Sequence, residues 1–473
     1  MKIQKRNNNL LCIVLLSLSL LIGCASGESG GDRTTITIQS TPYPEIANIT
    51  SNVSAYFEIA GKICQLNVDQ DTTLSGQCPD ISLGSHSYIL KYRLIDTGAI
   101  LATTEGSVTI EQGKNTEISF PPLVRYPFEL VANYNTSAGP VDLTIGDLNN
   151  DGIPDVVTAN KDSDSISVLL GNSDESLDAA NVYQTGPGSV ERLYPEHIEL
   201  GDLNGDGNLD VAVMHSGSEN GYSGDVTLFF GNGDGTFQGG DVYFQGGRSV
   251  SMALGDLNRD GFDDMVVANS GVGEVRILFG SGDGFLMLAD SYLQGFVSDV
   301  ILGDLNGDGN LDMVAYYSPE ITVFMGNGDG TFQTGPTTTV GILSSLVVGD
   351  VNGDIHPDLI SLIPDSPNVE VFSGNGDGTF QAETLYAAGS SPKSLALGDI
   401  NGDGYPDIVT DDPEAKAIVV LSGNGDGLFN PARFYEIDNS PVSVAIGDLN
   451  GDSGLEIFAT IYDSDLVALL LSR

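Results

Sequence analysis

Seven stretches of this chain set three acids and one amide at a fixed spacing, and that spacing specifies a chemistry. The copies begin at Asp147, Asp202, Asp256, Asp304, Asp350, Asp399 and Asp448. In the second, Asp202, Asn204, Asp206 and Asp210 hold positions 1, 3, 5 and 9 of a short loop, with Gly207 at position 6. Carboxylate and amide oxygens are hard donors, and glycine permits the sharp turn that brings them together, which is what calcium requires. One such run reads equally well as a surface turn, because Asp, Asn and Gly all favour turns. Seven in register do not.

The copies recur every 46–55 residues, a period that belongs to closed or stacked repeat architectures. Each repeat reads alike. In the third, a strand at 250–254 leads into the acid loop at 256–264, and a second strand follows at 265–268. A third strand at 275–279 then runs through the Gly-rich stretch 280–284 into a fourth at 286–293. Four antiparallel strands per repeat without a helical period predict a propeller blade, and seven copies predict an all-β, seven-bladed β-propeller over 127–473. The last copy stops after its third strand, at 466–471, while 127–134 reads as a fourth strand without a blade. Pairing the two would close the ring and remove both exposed edges.

The N-terminal part has a different character. Residues 1–24 form a processing signal, with Lys2, Lys5 and Arg6 ahead of a short apolar run. The run ends in Leu21-Ile22-Gly23-Cys24, which resembles a lipoprotein lipobox and implies cleavage before an acylated Cys24. An ordinary secretory signal cut near Ala25 or Ser26 is the alternative. With Ala25 after the cysteine, the expected location is the bacterial envelope, lipid-anchored in the outer membrane or at the cell surface. A Gly/Ser-rich tether spans 25–33, and short alternating strands over 34–121 suggest a small immunoglobulin-like β-sandwich ending near Pro121-Pro122. Cys64 and Cys78 can pair as a disulfide in an oxidising compartment or remain two buried thiols.

The acid loops and their setting resemble the FG-GAP/VCBS repeats, which also build the propeller of integrin α subunits and of bacterial surface proteins. In that family positions 1, 3, 5 and 9, with the carbonyl of position 7, bind calcium in the loop between strands one and two. The resemblance implies ligand sets Asp147, Asn149, Asp151 and Asp155; Asp202, Asn204, Asp206 and Asp210; and Asp256, Asn258, Asp260 and Asp264. It further implies Asp304, Asn306, Asp308 and Asp312, and Asp399, Asn401, Asp403 and Asp407, which makes five complete sites. Two loops depart from the pattern. Asp350, Asn352, Asp354 and Asp358 are kept, but Ile355 stands where the turn needs glycine. Asp448, Asn450, Asp452 and Glu456 remain, but Ser453-Gly454 shifts the glycine by one. An EF-hand is excluded by Thr158, Val213, Val267 and Ala315 at position 12, where that loop needs an acid.

Composition narrows the function. With 65 acidic against 18 basic residues the net charge is −47, so binding of nucleic acid or an anionic bilayer by charge is not expected. Calcium loops account for 21 of those acids, so much of the acidity is ligand inventory. His86, His197, His215 and His356 are scattered and form no local catalytic signature, and the Gly-Asn-Gly-Asp-Gly-Thr-Phe segments lack the lysine and helix of a phosphate loop. No enzyme is expected.

In a four-stranded meander, loops 1–2 and 3–4 share one face, so the calcium loops and Gly-rich turns lie together and the irregular loops lie opposite. Binding residues favour such irregular loops on a rigid scaffold. Insertions at 185–196 and 215–225 converge on the blade-two corner, which makes Arg192, Tyr194, His215 and Tyr222 the candidate contacts. The sequence thus predicts a calcium-stabilised, membrane-anchored binding or adhesion protein for a protein or glycan. A lectin-like carbohydrate module is the alternative, although the chain has no Trp, and a polysaccharide-active propeller enzyme stands third.

Overall fold

The computed structural model describes residues 128–472 apart from 187–192, 217–224, 245–247, 283, 294 and 450–453. The signal segment, the tether, the sandwich over 34–121, and Cys24, Cys64 and Cys78 therefore lie outside the described residues. The chain divides into two compact units, one of Met1–Glu129, Asn401–Asp403 and Ser472–Arg473, the other of Leu130–Ile400 and Gly404–Leu471.

Seven four-stranded antiparallel sheets follow one another along the chain, the blades of a propeller. Blades one to six occupy 140–184, 195–244, 249–293, 299–339, 345–387 and 395–436. Blade seven combines Ser443–Gly447, Glu456–Ile461 and Leu466–Ser472 with Phe128–Asn135, which pairs beside the last strand of the chain. The strand expected near 127–134 thus closes the ring. Asp465 reinforces the seam, accepting the Gly139 amide at 2.8 Å through its side chain and the Thr136 amide at 2.9 Å through its carbonyl.

The second and third strands of each blade are sandwiched between neighbours, so they read as nearly continuous apolar runs. Asp155–Asn160 and Ser165–Leu169 are buried at every residue. The core lies between blades: Val157, Ile166 and Val168 of blade one pack with Val211, Val213 and Phe229 of blade two. Leu143 and Val156 pack across the seam with Phe458, Val467 and Leu469. At the outer rim, Tyr183, Tyr292 and Tyr386 meet Phe237, Phe332 and Phe429 of the next blade edge-on, at 5.6, 6.0 and 5.2 Å between ring centroids.

First strands touch one another all round the hub, with blade one against blade seven. Strand alternation puts His197 and Glu199 on one side and buried Ile198 on the other. Asp142 links three first strands. It accepts from Ser443 of blade seven at 2.9 Å and lies 2.9 Å from His197 Nδ1 of blade two. His197 Nε2 reaches Glu199 and the Met252 carbonyl of blade three, both at 3.3 Å.

Candidate metal centre

Each of the first six acid loops is held in shape by its own side chains. Asp202 Oδ1 accepts the amides of Gly205 and Asp206, and Oδ2 accepts that of Gly207. Asn204 accepts the Asp206 amide, and Asp206 accepts the Asn208 amide. The same bonds recur around Asp304, Asn306 and Asp308. Position 6 is left-handed, as expected, from Gly152 at φ +81° to Gly261 at +89°. Position 4 is left-handed too, and there Asn150 and Arg259 adopt φ +58° and +60° without being glycine.

The acid at position 9 does more than the spacing indicated. Asp210 is fully buried at the head of strand two. It accepts the Leu203 amide at 3.0 Å through Oδ2 and the Gly231 amide at 2.8 Å through Oδ1. Asp155, Asp264, Asp312, Asp358 and Asp407 repeat this fork on the equivalent amides. The fork ties the acid loop to a glycine at the end of strand three or two residues past it. That residue must be glycine because the backbones nearly touch: a Cβ at Gly231 would lie 2.2 Å from the Leu209 carbonyl oxygen, and one at Gly326 would lie 2.1 Å from that of Leu311.

The donor set fits a hard cation. Burial pushes the Asp155 carboxyl up to about 6 against the pull of the Gly171 and Leu148 amides, and the charges of Asp151 and Asp147 add to the rise. Asp264 is pushed to about 7, with Asp260 and Asp256 contributing in the same way. Carboxylates close enough to raise one another's pKa are hard oxygen donors of the kind that calcium takes. Among the described residues no three His, Cys, Asp or Glu side chains form a metal cage by themselves. Amide and carbonyl oxygens would have to supply the remaining ligands.

The fifth and seventh loops differ. Ile355 is forced to φ +70° and is 84% exposed. Asn352 also turns its amide nitrogen onto Asp358 Oδ1 at 3.2 Å, placing a donor group between two expected ligands. In the seventh loop the Leu449 amide still donates to Glu456 at 2.6 Å, while Asn450 and Asp452 lie outside the described residues.

Neighbouring loops are stitched together on this face. Asn150 donates to Asn208 of the next blade at 2.9 Å, and Arg259 donates to the Gly309 carbonyl at 2.6 Å. The Gly235 and Gly330 amides of the Gly-rich turns reach the Leu148 and Leu257 carbonyls at 3.0 Å. Those turns are hairpins closed on themselves, with Thr236 bonded to Asp234 and Asn232.

On the opposite face the candidate contacts fare unevenly. Arg192 and Tyr222 lie outside the described residues. Tyr194 sits half-buried at φ +53°, with its amide 3.0 Å from Asp164 Oδ1. His215 needs correction as a surface contact. It is the last residue of strand two and fully buried, its Nε2 against Thr227 Oγ1 at 2.8 Å, and burial lowers its pKa to about 4. His215 shares the face of Val211 and Val213, but strand two is covered on both faces, so either parity would bury it.

Comparison with solved structures places the fold in company. BBS1N in complex with ARL6DN, in a crystal soaked with lead, aligns at 11% identity and TM-score 0.53, covering 74% of this chain and 98% of that one. The same complex soaked with mercury gives 11% identity and TM-score 0.52 over the same shares. An Agrocybe aegerita lectin, described as recognising non-reducing terminal N-acetylglucosamine, aligns at 22% identity and TM-score 0.48 over 64% of this chain and 82% of its own. No curated protein matches the sequence. The model of the FG-GAP-like repeat matches residues 147–213, 202–267, 256–315, 304–361 and 350–410, together more than half of the chain. With these repeats laid out as successive blades of one ring, the chain belongs to the FG-GAP-like repeat family.

Proposed function

We propose that this protein is a non-catalytic binding module, stiffened by calcium on one face and presenting a ligand surface on the other. The observation that carries the reading is the division of labour between faces. One face is built from repeated, mutually bonded acid loops and closed hairpins, and the other from loops that differ between blades. Calcium held by the acid, amide and carbonyl oxygens would neutralise carboxylates that otherwise repel, so its binding energy would appear as folding energy. Sites 147–155, 202–210, 256–264, 304–312 and 399–407 carry this role; 350–358 and 448–456 contribute less. The ligand is a protein or a glycan, and the chain is displayed on the bacterial envelope through acylated Cys24.

Asp142 stands between His197 and Ser443, so the imidazole does not touch the hydroxyl it would have to deprotonate. Three measurements test the reading. EDTA should lower the melting temperature and calcium restore it, with site affinities of about 10⁻⁴–10⁻³ M, as in extracellular modules. Cys24→Ser should release the chain from membranes and end fatty-acid labelling. Wild type should capture a partner from envelope extract or a glycan array; capture of nothing would sink the binding role.

A further inference from the structure

On the irregular face, between blades three and four, lies a cavity of about 420 Å³ lined by Arg248, Val250, Ser270, Gly271, Phe296, Val297 and Ser298. Its size falls within the range of small-ligand pockets, about 300–1,000 Å³. Three chain segments form the walls, and their backbones press on one another. A Cβ at Gly271 would lie 2.7 Å from the Arg248 amide nitrogen, and one at Gly273 would lie 2.8 Å from the Gly295 carbonyl oxygen. The Ser270 amide and hydroxyl both donate to the Arg248 carbonyl, at 2.8 and 3.0 Å. The three backbones are therefore held against one another.

Two features of the lining point to what it takes. In this acidic chain several cationic side chains are engaged: Lys161 with Glu196, Arg276 with Glu274, and Arg259 with the Gly309 carbonyl. Among the described residues nothing accepts from the Arg248 guanidinium. Beside it Phe296 leaves 82% of its surface exposed, next to the fully buried Val297. A planar fork of donors next to an open aromatic face suits a ring that carries a carboxylate, and the Ser298 hydroxyl can serve another of its oxygens.

We infer that this pocket binds a single acidic sugar unit, a uronic-acid residue, with its carboxylate on Arg248 and its ring against Phe296. A long polyanion is disfavoured, because the chain's net charge of −47 repels it at range while one carboxylate meets only the local arginine. The inference rests on the proposed binding role and names a ligand class for the irregular face.

The test is titration of the calcium-loaded protein with methyl glucuronoside, and with methyl glucoside as the uncharged control, followed by calorimetry or ligand-observed NMR. Binding of the uronoside at least tenfold tighter than the glucoside is expected. Arg248→Gln and Phe296→Ala should each weaken it by tenfold or more, with the melting temperature and its calcium dependence unchanged. Equal affinity for the two sugars, uronoside binding that survives Arg248→Gln, or no binding of either sugar would overturn the assignment. Capture of an envelope partner that persists in both variants, together with any of those results, would fault this pocket and leave the binding role standing.

Discussion

Asp206 and Asp210 belong to the same loop and to the same expected ligand set, yet they do different work. Asp206 is exposed and accepts only local bonds from within its loop, whereas Asp210 is buried and takes one amide from the loop and one from the end of strand three. Removing Asp210 strands two buried donors, at about 1–3 kcal/mol each. In EDTA, Asp210→Ala should therefore cost about 2–6 kcal/mol in chemical denaturation, and Asp206→Ala well under half of that. Equal losses would deny the fork its structural role. Ile355 gives the converse case. A left-handed β-branched residue is strained by about 1–2 kcal/mol, so Ile355→Gly should stabilise the chain by about 1 kcal/mol after the extra freedom of unfolded glycine is subtracted. If strain is what impairs that loop, the substitution should also strengthen calcium binding there. The strain at position 355 was legible in the sequence because one glycine was missing from a repeated place. The fork was not, because it joins position 9 to a glycine 16 residues on in four blades, but 21 on in blade two and 14 in blade four.

At the scale of elements, strand order was readable because the second and third strands, covered on both faces, must be written in apolar residues, while the acid loops mark the turn between the first and second. Strand ends were less so. His215 and Asp225 looked like the limits of a loop and instead belong to strands Asp210–His215 and Asp225–Gly231. Polar residues at buried strand ends carry no hydrophobic signal, and His215 is held there by Thr227, a contact that composition does not show. The strand that completes blade seven carries the next prediction. A chain beginning at residue 137 would lack Phe128–Asn135 and leave Leu466–Ser472 as an open edge. Such edges pair with whatever strand is available. The truncated chain should melt lower than the intact one and run as dimers or aggregates in size-exclusion chromatography; a monomer of unchanged melting temperature would show that the seam strand is dispensable.

For the molecule as a whole, the hub concentrates charge that the ring must balance. Burial by itself would lower the pKa of His197, but its hydrogen bonds to Asp142 and Glu199, together with their charges, hold it well above the ordinary 6.5. The ring keeps 32% of its side-chain surface open, which limits the burial penalty. Asp299 of blade four also senses that charge, although burial still raises its own carboxyl. A raised folded value means that the stabilisation is fully present below the unfolded value of about 6.5 and is lost as pH climbs through the folded one. At saturating calcium the melting temperature should decline on the alkaline side, and His197→Gln, which keeps hydrogen bonding without the charge, should flatten that decline. An identical alkaline slope in the variant would place the titration elsewhere. None of this was visible in the sequence, where four histidines looked merely scattered; the register of first strands from different blades brings His197 to its partners.

A ring sealed by its own two ends need not be one unbroken chain. Suppose a protease cuts the turn at Ser270–Gly273 of blade three. The first piece would keep Phe128–Asn135, blades one and two, and half of blade three; the second would keep the other half and everything through Leu466–Ser472. Each piece would then grip the other twice, through strand pairs in blades three and seven, so the nicked protein should travel as a single particle and separate into two bands only after denaturation. Such a design turns a backbone cut from a fatal event into a silent one.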